Sequence, residues 1–219
     1  GQFFMIKSKN NYPLLNRPIS ISDYSEEEID FGIKIVGKET KKLSTLKKND
    51  EINIIGPLGN GFELDKNLKK VLVIGGGIGV KPLKALVKEI NNKKIEIKTI
   101  LGFRKKAYDK DFFENYSNHL AIFSEKEDLE KNTGYPTDIL DQELIKENYD
   151  LVYSCGPEIL MKKVKKICEK NNIESQLLLE EKMACGIGAC LGCTCETNSV
   201  YKKVCTDGPM FYGKEVFNE

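Results

Sequence analysis

Apolar and polar positions divide the chain into three stretches. Over residues 1–67, short apolar runs alternate with turns: Phe3–Ile6, Ile19–Ile21, Phe31–Val36 and Ile52–Ile55, then the cluster Gly56-Pro57-Leu58-Gly59-Asn60-Gly61. Strands this short and this often interrupted predict a small barrel or sandwich. Gly1-Gln2-Phe3-Phe4 reads as the end of a turn entering a strand, so a further strand is expected ahead of it.

Residues 68–171 change period. Val71-Leu72-Val73-Ile74 is apolar at every position, the pattern of a parallel strand buried on both faces. It runs into Gly75-Gly76-Gly77-Ile78-Gly79 and a helix from Pro82 to Ile90. Further strands are expected at Ile95–Leu101, Leu120–Phe123 and Leu151–Ser154, with helices at Asp111–Tyr116, Ile139–Ile145 and Glu158–Asn171. Strand–helix alternation predicts a βαβ nucleotide-binding unit. Residues 172–219 hold one strand, Gln176–Leu179, then a cysteine-rich loop and a β-rich tail. The fold class is α/β and multi-domain, with divisions at 1–67, 68–171 and 172–219.

Charge adds little: 34 Lys and Arg face 33 Asp and Glu, for a net +1. That balance gives no footprint for nucleic acid. No apolar run reaches the ~18 residues of a membrane span, and no secretory signal is visible. Arginine is more telling, since only Arg17 and Arg104 occur among many lysines. Where lysine serves for plain charge, an arginine marks a place that needs a planar, two-pronged donor.

The cysteines carry the chemistry. Cys185, Cys190 and Cys193 follow C-x4-C-x2-C, and Cys205 comes after a longer gap. This is the ligand order of a plant-type [2Fe–2S] centre, which moves one electron at a time. The intervening Gly186, Ile187, Gly188, Ala189, Leu191 and Gly192 include small residues that let backbone N–H groups reach the sulfurs. Zinc is the alternative, although structural zinc favours two short cysteine pairs and only one C-x2-C occurs. Disulfides fit less well with seven cysteines, an odd count, and no export signal. Free thiols and iron–sulfur chemistry suit a reducing cytoplasm. Cys195 is read as a bystander pointing away from the cluster, and Cys168 as core.

Three further strings are candidate binding elements. Gly75, Gly76, Gly77 and Gly79 stand between a strand and a helix, where backbone N–H groups and the helix dipole attract a pyrophosphate. The string lacks the full G-x-G-x-x-G spacing, and an ordinary turn is the alternative. Arg17-Pro18-Ile19-Ser20 stands at a strand entry, with a guanidinium and a hydroxyl for phosphate. Cys155-Gly156-Pro157 ends a strand, where such sheets bind ligands, and Cys155 is placed to face a nicotinamide unless it is simply core. The sole histidine, His119, lies in a polar stretch, and no hydrolytic triad is present.

A β domain followed by a βαβ domain with a glycine turn and C-G-P resembles the ferredoxin reductase family, whose flavin motif is R-P-x-S. Met183–Cys193 (M-A-C-G-I-G-A-C-L-G-C) and Val204–Pro209 (V-C-T-D-G-P) narrow the likeness to the iron–sulfur electron-transfer subunits of NAD-dependent dihydroorotate dehydrogenase. The resemblance covers nearly the whole chain. It implies a small antiparallel β-barrel holding FAD through Arg17, Pro18, Ile19 and Ser20, with Gly32, Ile33 and Lys34 as a second contact strand. Glu39-Thr40 stands where the family has Gly-Thr, so a carboxylate is expected to disturb the flavin phosphates while Thr40 still donates. Gly59 and Gly61 belong to a G-P-L-G-N-G-F turn near the flavin. The glycine turn would take the NAD pyrophosphate, Arg104 would lie near the adenosine end, and Cys155, Gly156 and Pro157 would lie near the nicotinamide. Cys185, Cys190, Cys193 and Cys205 would hold the cluster in a small C-terminal domain.

The implied activity passes electrons from the FMN of a catalytic dihydroorotate dehydrogenase subunit, through [2Fe–2S] and FAD, to NAD+ in de novo pyrimidine (UMP) biosynthesis. The implied partner assembles as two catalytic and two electron-transfer subunits, and exposed Ile187 and Leu191 on the cluster loop would pack against it. Two other readings stand beside this one: a subunit of a ferredoxin–NADP reductase or sulfide dehydrogenase complex, and a zinc-bound adaptor without redox activity.

Overall fold

The computed structural model describes residues 1–9, 12–126, 132–198 and 200–217. Four strands open the chain: β1 (Phe3–Ser8), β2 (Arg17–Tyr24), β3 (Ile29–Phe31) and β4 (Ile52–Leu58). They form an antiparallel sheet in the order β3-β2-β1-β4. Successive side chains of a strand point to opposite faces, and β1 uses both. Phe4 and Ile6 build a local core with Leu43, while Phe3 and Met5 enter the core shared with the rest of the chain. Where the sequence predicts a barrel or sandwich, the described residues give this sheet, with β3 and β4 at its edges.

Two local expectations are corrected here. The strand foreseen at Phe31–Val36 stops at Phe31. Gly32 lies against the Lys81 side chain so closely that a Cβ would sit 2.2 Å from its Cγ. After Gly37 the chain forms a helix, α1 (Lys38–Leu43), in which only Leu43 is apolar, so periodicity gave no sign of it. Conversely, Gly56-Pro57-Leu58 is not turn throughout, because β4 runs on through these residues.

The second sheet is built by β5 (Lys70–Gly76), β6 (Glu96–Phe103), β7 (His119–Ser124), β8 (Asn132–Thr133), β9 (Leu151–Cys155), β10 (Ser175–Leu178) and β13 (Met210–Tyr212). Its order is β13-β10-β9-β5-β6-β7-β8, parallel except where β13 meets β10. Helices cover it: α2 (Val80–Asn92), α3 (Lys110–Tyr116), α4 (Leu140–Lys146) and α5 (Glu158–Lys170). Val71 and Val73 of β5 face Leu83, Val87 and Ile90 of α2, while Leu72 and Ile74 share a cluster with Leu140 of α4 and Met161 and Val164 of α5. Each such side chain, fully withdrawn from water, contributes about 1.5–3 kcal/mol. This two-sided burial is what makes the β5 run apolar at every position.

From β5 the chain adds strands outward through β6, β7 and β8, then returns to place β9 on the other side of β5. The reversal opens a crevice at the carboxyl ends of β5 and β9, the place where open α/β sheets bind ligands. The tail closes the architecture. After β10 comes the cysteine loop, a hairpin of β11 (Thr194–Glu196) and β12 (Tyr201–Lys203), and then β13, which returns to pair with β10. Strands from beyond residue 172 therefore extend the nucleotide-type sheet. No helix among the described residues is long and apolar enough to cross a membrane.

Candidate functional site

Three elements make up the candidate site. The first is the glycine turn. Gly75 pairs with Cys155 and Gly76 with Gly102, so the turn, C-G-P and the end of β6 lie side by side. Gly77 has φ +54°, and a Cβ there would meet no atom within 4 Å, leaving its backbone open to a ligand. Gly79 has no such room: its Cβ would come within 2.6 Å of the Gly156 backbone. A 3₁₀ turn (Gly77–Gly79) leads into α2, whose N-terminus carries the positive end of the helix dipole. Cys155 is buried beside this turn, and burial pushes its thiol up to about 12, so it stays protonated at neutral pH.

Sequence reasoning missed the side chains that line this turn. The Tyr108 hydroxyl donates to the Gly77 carbonyl, and its ring packs edge-on against Phe103 at 4.9 Å. Burial, reinforced by the Asp109 charge, pushes the phenol up to about 12. Lys81 pairs with Asp109 at 2.7 Å and lies over the Tyr108 ring. These residues come from α2 and the β6–α3 loop, and no periodicity or motif singles them out. Arg104 follows β6, with its side chain 87% exposed and Nε 3.3 Å from Glu125. His119 is exposed at the start of β7, remote from these groups along the sheet.

The second element is the N-terminal sheet. Pro18, Ile19 and Ser20 of β2 pair with Met5, Phe4 and Phe3. Arg17 Nη1 donates to the carbonyls of Leu15 (2.7 Å) and Asn16 (3.2 Å), which fixes the guanidinium at the strand entry. Gly32 touches α2 through Lys81, Ile33 is half-buried in the local core, and Lys34 is exposed. Glu39 departs from expectation. Its carboxylate is turned into the protein, 1% exposed, where Oε1 accepts the Ser8 N–H at 2.5 Å. Glu39 Oε2 and Ser8 Oγ lie buried without hydrogen-bond partners. The Thr40 hydroxyl is likewise engaged locally, accepting from the N–H groups of Val36 and Gly37 and donating to the Gly37 carbonyl.

The third element is the cysteine loop. Gly186 (φ +73°) and Gly188 (φ +80°) take left-handed conformations that bend the chain around the sulfurs. Backbone N–H groups then aim inward. Ile187 and Cys190 both donate to Cys185 Sγ at 3.4 Å, Gly188 to Cys205 Sγ at 3.2 Å, Gly192 to Cys190 Sγ at 3.5 Å, and Cys205 to Cys193 Sγ at 3.4 Å. The donors from Ile187 and then Cys190 pull the Cys185 thiol down to about 6. Cys205, 1% exposed, is pushed up to about 11 by burial and then by its hydrogen bond with Cys193.

The four cysteines thus fall into two pairs joined by backbone donors, the Cys190 N–H to Cys185 Sγ and the Cys205 N–H to Cys193 Sγ. Among the described residues, no three Cys, His, Asp or Glu side chains gather as a single metal ion requires. Two pairs, each with N–H groups directed at sulfur, fit a two-iron core held by thiolates. Cys195, on β11, packs partly buried against the core, and Cys168 is a buried residue of α5. Ile187 and Leu191 are 61% and 64% exposed on the loop.

The turn that follows β4, residues 59–62, joins the second and third elements. Gly59 takes φ +70° against Pro209 and Gly208, and its carbonyl accepts from Gln2 Nε2 at 3.0 Å. Gly61 lies beside Gln2. Asn60 is bonded to the segment after Cys205. Two surface hollows lie elsewhere, at the opposite, amino-terminal end of the strands. One is lined by Asn91, Glu96 and His119, the other by Glu63, Asp150 and Glu174.

Known proteins resemble this chain over nearly its whole length. Residues 180–217 match the family model described as the iron–sulfur cluster binding domain of dihydroorotate dehydrogenase B. The dihydroorotate dehydrogenase B (NAD(+)) electron transfer subunit of Clostridium acetobutylicum is 43% identical over 216 residues, covering 99% of this chain and 85% of that protein. The subunit of the same name from Clostridium perfringens is 40% identical over 218 residues, covering 99% and 86%. Among solved structures, a chain of the NADH-dependent reduced ferredoxin–NADP oxidoreductase, reported for flavin-based electron bifurcation, superposes with a TM-score of 0.90 at 30% identity, covering 99% of this chain and 78% of that one. With 43% and 40% identity to these subunits over nearly its whole length, the chain belongs to the family of dihydroorotate dehydrogenase B electron transfer subunits.

Proposed function

We propose that this chain passes electrons between a dihydroorotate-oxidising catalytic subunit and NAD+. FAD, when bound, exchanges electrons both singly and in pairs, and so links one-electron traffic at cysteine-held iron to hydride exchange with the nicotinamide. The chain itself supplies position and electrostatics. The backbone at Gly75–Gly79 and the start of α2 receive the dinucleotide pyrophosphate, and Arg104 receives its adenosine end. Arg17 and Ser20 on β2, with the Gly32–Lys34 segment, receive the flavin. Cys155 keeps a neutral, buried thiol beside the reacting rings. Cys185, Cys190, Cys193 and Cys205 hold the irons, and N–H groups on their sulfurs stabilise the added electron.

The observation that carries this reading is the junction of the flavin turn with the segment after Cys205, which supports short passage between the two cofactors. A closed flavin barrel needs further pairing along β3 and β4, and the three-domain division at 67 and 171 is proposed with β10 and β13 shared across the second boundary. Ile187 and Leu191 offer apolar contact to the FMN-bearing subunit, in an assembly of two copies of each. The free thiols point to a reducing cytoplasm. A ferredoxin–NADP reductase role is the second reading, favoured by the TM-score of 0.90. The test is NADH formation by the reconstituted pair with dihydroorotate as donor. Turnover with reduced ferredoxin and none with dihydroorotate overturns the first reading.

A further inference from the structure

One exposed residue makes most of the polar contact between the flavin turn and the cysteine loop. The Asn60 backbone N–H donates to the Gly208 carbonyl at 2.6 Å, and its carbonyl accepts from the Met210 N–H at 3.4 Å. Its side-chain Nδ2 donates to two successive carbonyls, Thr206 at 3.0 Å and Asp207 at 3.2 Å. These four bonds grip the chain directly after Cys205. That cysteine is fixed in turn, accepting from the Gly188 N–H and donating its own N–H to Cys193 Sγ. On the other side, Gly59 is wedged against Pro209 and Gly208.

The chemistry selects an amide here. Two peptide carbonyls face one side-chain nitrogen, and only a group with two hydrogens on one atom serves both. Aspartate has the same shape but would turn acceptors toward acceptors. The two bonds fix the orientation of the peptide groups that follow Cys205, and with them the limb on which that sulfur is carried.

We infer that Asn60 is a positioning residue for electron transfer within this chain: its side chain locks the Cys205 limb to the flavin turn and so sets the separation and orientation of the two redox groups. The inference rests on the reading that FAD, held by β2 and the Gly32–Lys34 segment, lies near this turn. With FAD and the cysteine-held iron in place, a hydride from NADH would leave two electrons on the flavin, and these would pass one at a time through the iron to the FMN-bearing subunit as acceptor, two one-electron equivalents per NADH. Asn60 acts on the second stage and leaves the first untouched.

The test uses the complex with its catalytic subunit, comparing wild type with Asn60→Asp and Asn60→Ala. Both variants keep the backbone bonds of residue 60 and disturb no buried side chain. FAD and iron are quantified, then NADH is mixed rapidly and flavin and iron–sulfur absorbance are followed separately. Flavin reduction is expected at the wild-type rate, with the following flavin-to-cluster step slowed by about threefold or more in Asn60→Asp, since the electron-transfer rate falls with each ångström added between the two groups. Asn60→Ala should fall between the two. Hydrogen exchange gives a readout apart from turnover: the amides of Thr206, Asp207, Gly208 and Met210 should lose protection in both variants, with or without cofactors. An unchanged internal rate at full cofactor content overturns the inference, as does equal slowing of both stages. If a variant loses a cofactor, the exchange data decide, and unaltered protection at 206–210 overturns it. A wild-type complex without FAD sinks the underlying reading of the site, and the inference with it.

Discussion

Gly79 and Gly156 pack backbone against backbone, and a Cβ on Gly79 would stand 2.6 Å from both Cα and N of Gly156. The contact ties the glycine turn after β5 to the C-G-P string after β9. Gly79 must lack a side chain for the crevice to take its shape, and a Cβ on Gly156 would press on the Gly76 backbone at 3.0 Å. Gly79→Ala forces that backbone apart, at a cost of about 1–3 kcal/mol. The denaturation midpoint should drop and NADH affinity should weaken, while iron content holds. A variant as stable as the wild type would show that the turn has slack.

Cys205 and Cys195 should behave oppositely. Cys205 is buried and receives the Gly188 N–H, while Cys195 sits on β11, pairing with Lys202 of β12. Cys205→Ser should lose iron and the reduced-state EPR signal, and Cys195→Ser should retain both. Retention of a normal signal by Cys205→Ser would remove it from the ligand set.

Arg17 is held at the β2 entry by two carbonyls on one of its terminal nitrogens. Lysine cannot reproduce a planar fork that bonds the chain and a phosphate together. Arg17→Lys is expected to weaken FAD retention by about tenfold, or 1.4 kcal/mol. Equilibrium dialysis against FAD measures it, and equal affinity rules out the assigned role.

Asp150 gives a pH dependence. Its Oδ2 accepts the N–H groups of Lys69 and Lys70 at 2.7 and 2.8 Å, at the start of β5. The Lys70 N–H first, and the Lys69 N–H next, hold the carboxyl below its ordinary 3.8. A carboxyl lowered by folding stabilises the fold fully above its unfolded value, and the benefit is lost as pH falls through the folded one. Asp150→Asn should therefore cost about 0.5–1 kcal/mol at pH 7, modest because the group is exposed. Its deficit against wild type should narrow below about pH 4. A deficit that is constant with pH would mean that the ionised carboxylate plays no part.

Much of this protein is written locally in the chain. The cysteine spacing, the apolar β5 run into glycines, and the alternation of strands with helices were legible because each depends on neighbours a few residues apart. Helix α2 follows the same logic, with Leu83, Leu86, Val87 and Ile90 returning to one face every three or four residues. Helix α1 was not legible, since a single apolar residue sets no period.

Tertiary structure decided what depends on distant partners. Glu39 reads as a misplaced charge until β1 offers the Ser8 N–H, 31 residues away. Asn60 reads as one polar residue in a turn until folding brings Thr206 to it across 146 residues. Tyr108 gains meaning only when Gly77 presents its carbonyl. A hydrogen bond across such a span leaves no repeat in the sequence, because its partners are selected by the packing of whole elements and not by the residues between them.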